Sequence, residues 1–293
     1  MKYVVIGGTG TLGSALIKRL VASTKETDQV VCVSRDELKQ KNLKSEVNSA
    51  KLSFHIGDVK DRASLRLPLT GANAIFHVAA LKHIDTVEEN PVEGVKTNII
   101  GTQNVAELAI EKGLPFVAFS STDKAVEPIN IYGMTKAISE RHLFNLNEAQ
   151  SRVKFSVFRW GNVCGSRGSV IHSFVQSLKD RQQIDLTHPN MTRFWIDIDQ
   201  AADFMIGNYK TAPKDRACIP EMKGCEVSRI AEAVAKILGV KKFKTNIIGM
   251  RQGEKLAEAI TSTGKDRVTS ETIAQMTDEE IMQMVRPVVE AIA

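Results

Sequence analysis

The sequence predicts an α/β fold: a doubly wound, mostly parallel sheet with a smaller portion at its C-terminal end. Three observations predict it. Short, nearly continuous apolar runs alternate with amphipathic stretches over residues 2–160, as strands buried on both faces alternate with crossover helices. The first run leads into glycines at positions 7, 10 and 13 and then into a helical pattern. After Lys179 the β-α regularity drops.

Lys2–Ile6 (K-Y-V-V-I) is the first strand. Gly7, Gly10 and Gly13 allow a tight turn, close approach of the backbone to a pyrophosphate, and close packing of helix on strand. Thr11 and Leu12 share that site at the start of an amphipathic helix running to about Val21. An ordinary glycine-rich turn is the alternative, and the order strand, glycines, helix, strand weighs against it. Residues 29–33 form the second strand, which ends in Ser34-Arg35-Asp36 with Lys39 one helical turn on. An acid here suits the ribose hydroxyls of NAD, whereas arginine and small hydroxyls suit the 2′-phosphate of NADP. Ser34, Arg35 and Lys39 favour NADP. Asp36 is the contrary signal, and a solvated helix start would also account for Arg35 and Lys39.

Leu52–Ile56 is the third strand, followed by Asp58 and Val59. Asp58 either accepts from the adenine amino group or caps the helix over 61–65, and the two readings weigh equally. Residues 74–78 are the fourth strand, after which Ala79 and Ala80 let a cofactor pass over the sheet. His77 reads as a core or cap histidine. Lys82 and His83 are candidates for ligand contact, against a plain surface loop. Residues 95–112 read as one long helix with Asn98 on its early, cofactor-facing turns. Its stripe of Ile99, Val105, Leu108 and Ala109 is core or a partner-helix face.

Residues 116–119 are the fifth strand, and S-S-T-D-K-A-V-E-P-I-N-I-Y-G-M-T-K follows over 120–136. Thr122, Asp123 and Lys124 stand at the carboxyl end of that strand, where open α/β sheets bind ligands. Asn130 caps the next helix. Tyr132 and Lys136, four apart, share one face of it. Residues 154–160 are the sixth strand, then a glycine-rich loop over 161–170 and a helix to about Leu178. Beyond an irregular stretch at 188–195, helices are expected near 199–209, 227–238 and 253–261. A last one, near 278–286, is ended or kinked by Pro287.

The chain has 293 residues, 43% hydrophobic and 25% charged, an ordinary soluble composition with a real core. Its net charge of +5 is too mild and dispersed for nucleic acid and suits a small anionic ligand. No apolar run approaches the roughly 20 residues that span a bilayer, and no leader pattern is seen. Cys32, Cys164, Cys218 and Cys225 lack C-x-x-C spacing and read as reduced cytoplasmic thiols, so no metal is expected. Tyrosine is a poor base near neutrality, with an unperturbed pKa of about 10. A lysine ammonium and a positive nicotinamide beside Tyr132 would favour its phenolate. The pair could then take a proton from a hydroxyl while the cofactor is reduced.

The glycine pattern, Tyr132-x-x-x-Lys136 and Thr122 resemble an extended short-chain dehydrogenase/reductase. F-H-V-A-A-L-K-H (76–83), S-T-D-K-A-V (121–126), G-N-V-C-G-S-R-G-S-V (161–170), T-H-P-N-M-T-R-F-W (187–195) and R-Q-G-E-K-L (251–256) sharpen the likeness. They resemble soluble UDP-N-acetylglucosamine 4,6-dehydratases, inverting at C5, which begin pseudaminic acid synthesis. The resemblance covers residues 2–258 and departs over 261–293. It implies a Rossmann domain over 1–160 and a substrate-binding portion over 161–293, partly interleaved with the sheet. It implies a lyase acting by C4 oxidation, loss of water across C5 and C6, and return of the reducing equivalent to C6. The product would be UDP-2-acetamido-2,6-dideoxy-L-arabino-hex-4-ulose. The alternatives are a C5-retaining dehydratase or a nucleotide-sugar 4-epimerase of the same fold.

Sister dehydratases resemble this chain but carry Asp-Glu where it has Asp123-Lys124. The resemblance makes Lys124 the C5 base, which must be neutral to act, and Asp123 the acid at the C6 oxygen. Asn162, Val163, Arg167 and Val170 would line the sugar–diphosphate site, with Lys82 and His83 beside them. Arg193, Arg251 and Glu254 would hold the nucleotide. NADP would be held tightly and regenerated each turnover. The family also implies a cytoplasmic homo-oligomer, dimer or hexamer, assembled through helices 95–112 and 131–150. Larger membrane-bound relatives have methionine in place of the tyrosine, so Tyr132 groups the chain with the soluble kind.

Overall fold

A computed structural model describes residues 1–262 and 267–293. The chain runs β1 (Lys2–Ile6), α1 (Thr11–Ser23), β2 (Gln29–Ser34), α2 (Glu37–Val47), β3 (Leu52–Ile56), α3 (Arg62–Leu69) and β4 (Ala74–His77). Then come α4 (Ile84–Glu89), α5 (Pro91–Gly94), a π-helical turn (Val95–Ile100), α6 (Gly101–Glu111), β5 (Phe116–Ser120), a 3₁₀ turn (Asp123–Ala125), α7 (Ile131–Ala149) and β6 (Lys154–Phe158). The rest comprises β7 (Asn162–Val163), α8 (Val170–Arg181), β8 (Gln183–Leu186), β9 (Thr192–Ile196), α9 (Ile198–Asn208), β10 (Lys223–Glu226), α10 (Val227–Ile237), β11 (Lys244–Ile247) and α11 (Asp278–Ile292). These form two compact units, Met1–Arg159 with Asp199–Pro220, and Trp160–Ile198 with Glu221–Ala293.

In the first unit six strands lie in the order β3-β2-β1-β4-β5-β6. Every pairing is parallel. The chain turns back between β1 and β4, so the crevice at the carboxyl ends of those strands is the natural ligand position. Apolar runs such as K-Y-V-V-I and A-I-F-H lack polar alternation because both sheet faces are covered. Val4, Ile75, Val117 and Phe119 are at most 2% exposed and pack with Leu65 of α3 and Val105 and Leu108 of α6. Each such side chain removed from water contributes about 1.5–3 kcal/mol.

Two sequence expectations change here. The expected helix over 95–112 is interrupted by the π turn, where the Gly101 N–H donates to Lys96 O, five residues back. Gly101 is required there, since a Cβ would lie 2.7 Å from Val59 Cγ2. The cap of α3 is Asp61 rather than Asp58, its carboxylate accepting from the Ala63 N–H at 2.9 Å.

The second unit has a three-stranded sheet, β10-β9-β7, and a two-stranded one, β11-β8. Around them α8, α10 and α11 bury Ile171, Phe174, Ile230, Val234, Ile281 and Val285 in one core. The helix expected over 253–261 does not form. Gly253 has φ +80°, and the segment's backbone groups are taken by distant partners. Leu256 O accepts from Thr192 N–H, Glu258 O from Ser270 N–H, and the Ile260 N–H donates to Val268 O. At the other end, α11 continues through Pro287 to Ile292. A capping box between Thr277 and Glu280 starts it, and Ile281, Val285 and Val289 are buried at four-residue spacing. That burial offsets the roughly 3 kcal/mol of an interior proline.

Among the described residues, no helix is long and apolar enough to cross a membrane. All four cysteines are free thiols.

Candidate active site

The cleft at the sheet's carboxyl edge has a volume of about 200 Å³ and is lined by Gly7, Thr9, Gly10, Ser34, Arg35, Asp36, Lys39, Asp58, Val59, Ala79, Ala80 and Thr97. The glycines divide the work. Gly7 has φ +86°, and a Cβ on it would lie 2.7 Å from Ala79 N. A Cβ on Gly13 would lie 2.2 Å from Gly7 O, so this glycine serves the packing of α1 on the loop. On Gly10 the nearest atom would be Gly7 O at 3.1 Å, leaving the outward side open. Gly10 is the N-cap of α1 and supplies no side-chain cap. The first turn of α1, which includes Thr11 and Leu12, thus borders the cleft with the N-terminal end of a helix, the end that favours a phosphate. This cradle fits a dinucleotide pyrophosphate.

The groups near the second strand are already engaged with one another. The Ser34 hydroxyl is buried and accepts from Gln40 Nε2 at 3.1 Å, so it faces inward. Arg35 Nη1 lies 3.7 Å from Asp58 Oδ2. Asp36 caps α2 through the Lys39 N–H and pairs with Lys39 Nζ at 2.9 Å. These two bonds hold its carboxyl below the usual carboxylate range. The cleft thus presents two cations and two carboxylates in matched pairs. Asn98 is buried, and its amide is committed to protein. It accepts from the Leu81 N–H and donates to Leu81 O and Thr135 Oγ1, with lengths of 2.9–3.0 Å. It therefore fixes the loop after β4 to α7. Lys82 and His83 are exposed on that loop.

At the end of β5, the 3₁₀ turn gathers the reactive groups. Asp123 is fully buried, and its Oδ1 accepts from Thr122 Oγ1 and from Lys124 Nζ, each at 3.0 Å. Helix α7 begins directly on this turn. Asn130 caps it, Oδ1 accepting from the Gly133 N–H at 2.7 Å. A Cβ on Gly133 would lie 2.1 Å from Lys124 O. Only glycine lets the helix approach that closely, and the approach brings Tyr132 to Thr122, whose hydroxyl bonds the phenol. Burial pushes the Tyr132 phenol up to about 12, against the positive charge of Lys124 and the Thr122 hydrogen bond. Lys136 donates to Ser120 O at 2.5 Å and lies 3.9 Å above the Phe119 ring. Burial pushes its ammonium down to about 7. The sequence assigns phenolate stabilisation to Lys136. Lys124 also acts on the phenol through its charge, while Lys136 bonds the β5 backbone one turn behind.

The second unit carries the other predicted residues. Asn162 and Val163 form β7, paired in register with Trp195 and Ile196 of β9. Arg193 is 6% exposed, and its Nη1 donates to Thr192 O and Leu256 O at 2.7 and 3.2 Å. Arg251 and Glu254 belong to one turn, the Arg251 N–H donating to Glu254 Oε2 at 3.2 Å. Val170 opens α8, and Arg167 is exposed in the preceding loop.

Sequence reasoning missed Gly133, Thr9, Thr97 and Glu140. Gly133 had a signal, a glycine directly after the tyrosine, and Glu140 had one in its four-residue spacing from Lys136. Among the described residues no three His, Cys, Asp or Glu side chains are grouped as a metal site.

A doubly wound sheet with a glycine cradle, and a tyrosine and lysine on α7, define an extended short-chain dehydrogenase/reductase. More particularly, the chain belongs to the polysaccharide biosynthesis protein family, which matches residues 3–280. That match passes well beyond residue 258, where the sequence resemblance was expected to fade. The chain is 36% identical, over 92% of its length and 79% of the relative's, to a Campylobacter jejuni UDP-N-acetylglucosamine 4,6-dehydratase (inverting). It is 35% identical to a Rickettsia rickettsii UDP-glucose 4-epimerase, over 89% of its own length and 77% of the relative's. The solved structure of Pen from Bacillus thuringiensis matches with a TM-score of 0.90 and 29% identity, covering 98% of this chain and 97% of that one.

The two glycines should separate by experiment. Gly10→Ala keeps the wild-type melting temperature and weakens dinucleotide binding at least about tenfold, its methyl group facing the phosphate. Gly13→Ala loses both stability and binding, because its Cβ collides with the loop backbone. Thermal melts with fluorescence titration of the dinucleotide check both. Wild-type binding by Gly10→Ala would remove the phosphate site from the α1 N-terminus.

Proposed function

We propose that this chain is an NADP-dependent UDP-N-acetylglucosamine 4,6-dehydratase that inverts C5, at the head of pseudaminic acid synthesis. The observation that carries the reading is the buried Asp123–Lys124 pair beside Thr122 and Tyr132. A 4-epimerase needs the tyrosine and lysine but no acid–base pair. A dehydratase needs a base for the C5 hydrogen and an acid for the C6 hydroxyl. The inverting Campylobacter relative supports the stereochemistry. The Rickettsia relatives named as epimerases are the ground for the second reading.

A bound nicotinamide supplies the transient oxidation at C4 and the later reduction at C6. Tyr132 takes the proton of the C4 hydroxyl, aided by the Lys124 charge. The resulting C4 ketone acidifies the C5 hydrogen. One proton passed from Lys124 to Asp123 across their 3.0 Å contact turns the ion pair into an amine and a carboxylic acid. Those are the forms the elimination uses. The Lys124 amine takes the C5 hydrogen, the Asp123 carboxyl protonates the departing C6 oxygen, and water leaves. The ion pair is thereby restored. Return of a proton to C5 from the opposite face inverts that centre. Arg193, Arg251, Glu254, Asn162, Val163, Arg167 and Val170 are the proposed contacts of the UDP-sugar, with arginines on phosphate.

The exposed apolar side chains of Val92, Val95, Ile100, Met134 and Ile138 support a homo-oligomer in which they are covered. Light scattering should give a multiple of the monomer mass, and Met134→Glu/Ile138→Lys should lower it. A monomeric wild type would remove the oligomer.

Proton NMR with UDP-N-acetylglucosamine in D2O, without added reductant, is expected to show a 4-keto-6-deoxy sugar with deuterium at C5 and L-arabino couplings. Lys124→Met lowers product formation about 10²–10⁴-fold with dinucleotide binding intact. A 4-epimer keeping its C6 hydroxyl would instead establish the epimerase, and xylo couplings would establish retention.

For the cofactor, Arg35→Ala should weaken NADP at least about tenfold and leave NAD nearly unchanged in calorimetric titration. Equal loss for both would assign Arg35 to Asp58 alone.

A further inference from the structure

Helix α7 carries a third functional candidate in line with the first two. Tyr132, Lys136 and Glu140 recur every four residues and share one face. Glu140 is 3% exposed, and the proposed reaction does not use it. Its carboxylate receives Arg159, just past β6, as a fork. Arg159 Nε donates to Oε1 at 3.1 Å and Nη2 to Oε2 at 2.5 Å. Burying such a pair costs several kcal/mol per ion, and apolar side chains of similar volume often serve a core as well or better. A role in packing alone accounts poorly for it.

One turn back lies Lys136, fixed on Ser120 O and over the Phe119 ring. A neutral amine there would contribute no positive charge to the catalytic end of the helix. Tyr132 and Glu140 flank Lys136 on α7. Asp123 and Lys124 face Tyr132 from the 3₁₀ turn, His77 faces Lys136 from β4, and Arg159 stands beyond Glu140. Burial drives His77 down to about 3, so it is uncharged near neutrality. Among the described residues Glu140 is the buried carboxylate one helical turn from Lys136 on the same face of α7, and its charge opposes the effect of burial.

We infer that Glu140, locked in place by Arg159, is a positioning residue that keeps Lys136 charged behind Tyr132. Its meaning for turnover rests on the dehydratase reading. Its test does not. The protein is labelled with ¹³C at lysine Cε, and the Lys136 resonance, identified by its loss in Lys136→Met, is titrated with pH. The wild-type midpoint is expected at about 7. Glu140→Gln moves it down by about one pH unit. Glu140→Gln/Arg159→Met, which removes the stranded guanidinium as well, moves it down by less. Glu140→Asp stays near the wild type. The double variant carries the test if Glu140→Gln alone does not fold. An unmoved midpoint in folded Glu140→Gln or the double variant overturns the inference. Measured in parallel, the alkaline limb of kcat should move to lower pH with the midpoint, since the protonated lysine is lost sooner. A wild type that titrates as expected but turns over no UDP-sugar overturns the proposed function and leaves the role of Glu140 standing.

Discussion

The site depends on one close contact, the start of α7 resting on the Lys124 carbonyl at Gly133, where any Cβ would lie 2.1 Å from that oxygen. Everything reactive follows from it. The Asn130 cap fixes where the helix begins. Tyr132 is then set against Thr122, and Lys136 falls one turn further along, over Phe119. On the other side of the contact, the 3₁₀ turn holds Asp123 and Lys124 as a pair. A larger residue at 133 would move the helix and separate the redox pair from the acid–base pair. The glycine is thus a geometric requirement of the close approach on which the proposed reaction relies.

Burial acts on these groups in opposite senses. It disfavours every charged form, so it raises Tyr132 and lowers Lys136. The compensating charges are local: Lys124 for the phenol and Glu140 for the ammonium. The two lysines therefore do different work. Lys124 is half-buried and faces the phenol, whereas Lys136 is 3% exposed and turned to the β5 backbone. Two cations with separate partners let one be lent to proton transfer while the other stays in place.

Much of this was legible in the sequence because it is local. Short, largely apolar runs marked the six strands, and Gly7, Gly10 and Gly13 marked the phosphate turn. The Tyr132-Lys136 spacing placed both on one helical face. What the sequence hid depends on partners far along the chain. Nothing near 253–261 announces that its backbone bonds go to Thr192, Val268 and Ser270 rather than along a helix. The bonds of Ser34 with Gln40, and of Asn98 with Leu81 and Thr135, are long-range or depend on the fold in the same way. The π turn is hidden as well, since it follows from Val59 packing on Gly101 and not from any local pattern.

The proposed reaction also gains from pairing Asp123 with a lysine rather than with a second carboxylate. Two adjacent carboxylates repel, so one must be protonated from solvent before the other acts. An aspartate and a lysine attract, and the pair is charge-neutral in both of its proton arrangements. The site can pass from ion pair to acid and amine without exchanging a proton with water, which suits groups buried as these are. In the proposed reaction the amine and acid need exist only transiently. The C4 ketone makes that tolerable, because it acidifies the C5 hydrogen enough for a short-lived base to remove it. In the proposed reaction oxidation therefore precedes elimination, and the contact between α7 and the 3₁₀ turn holds Tyr132 beside Asp123 and Lys124 for both steps.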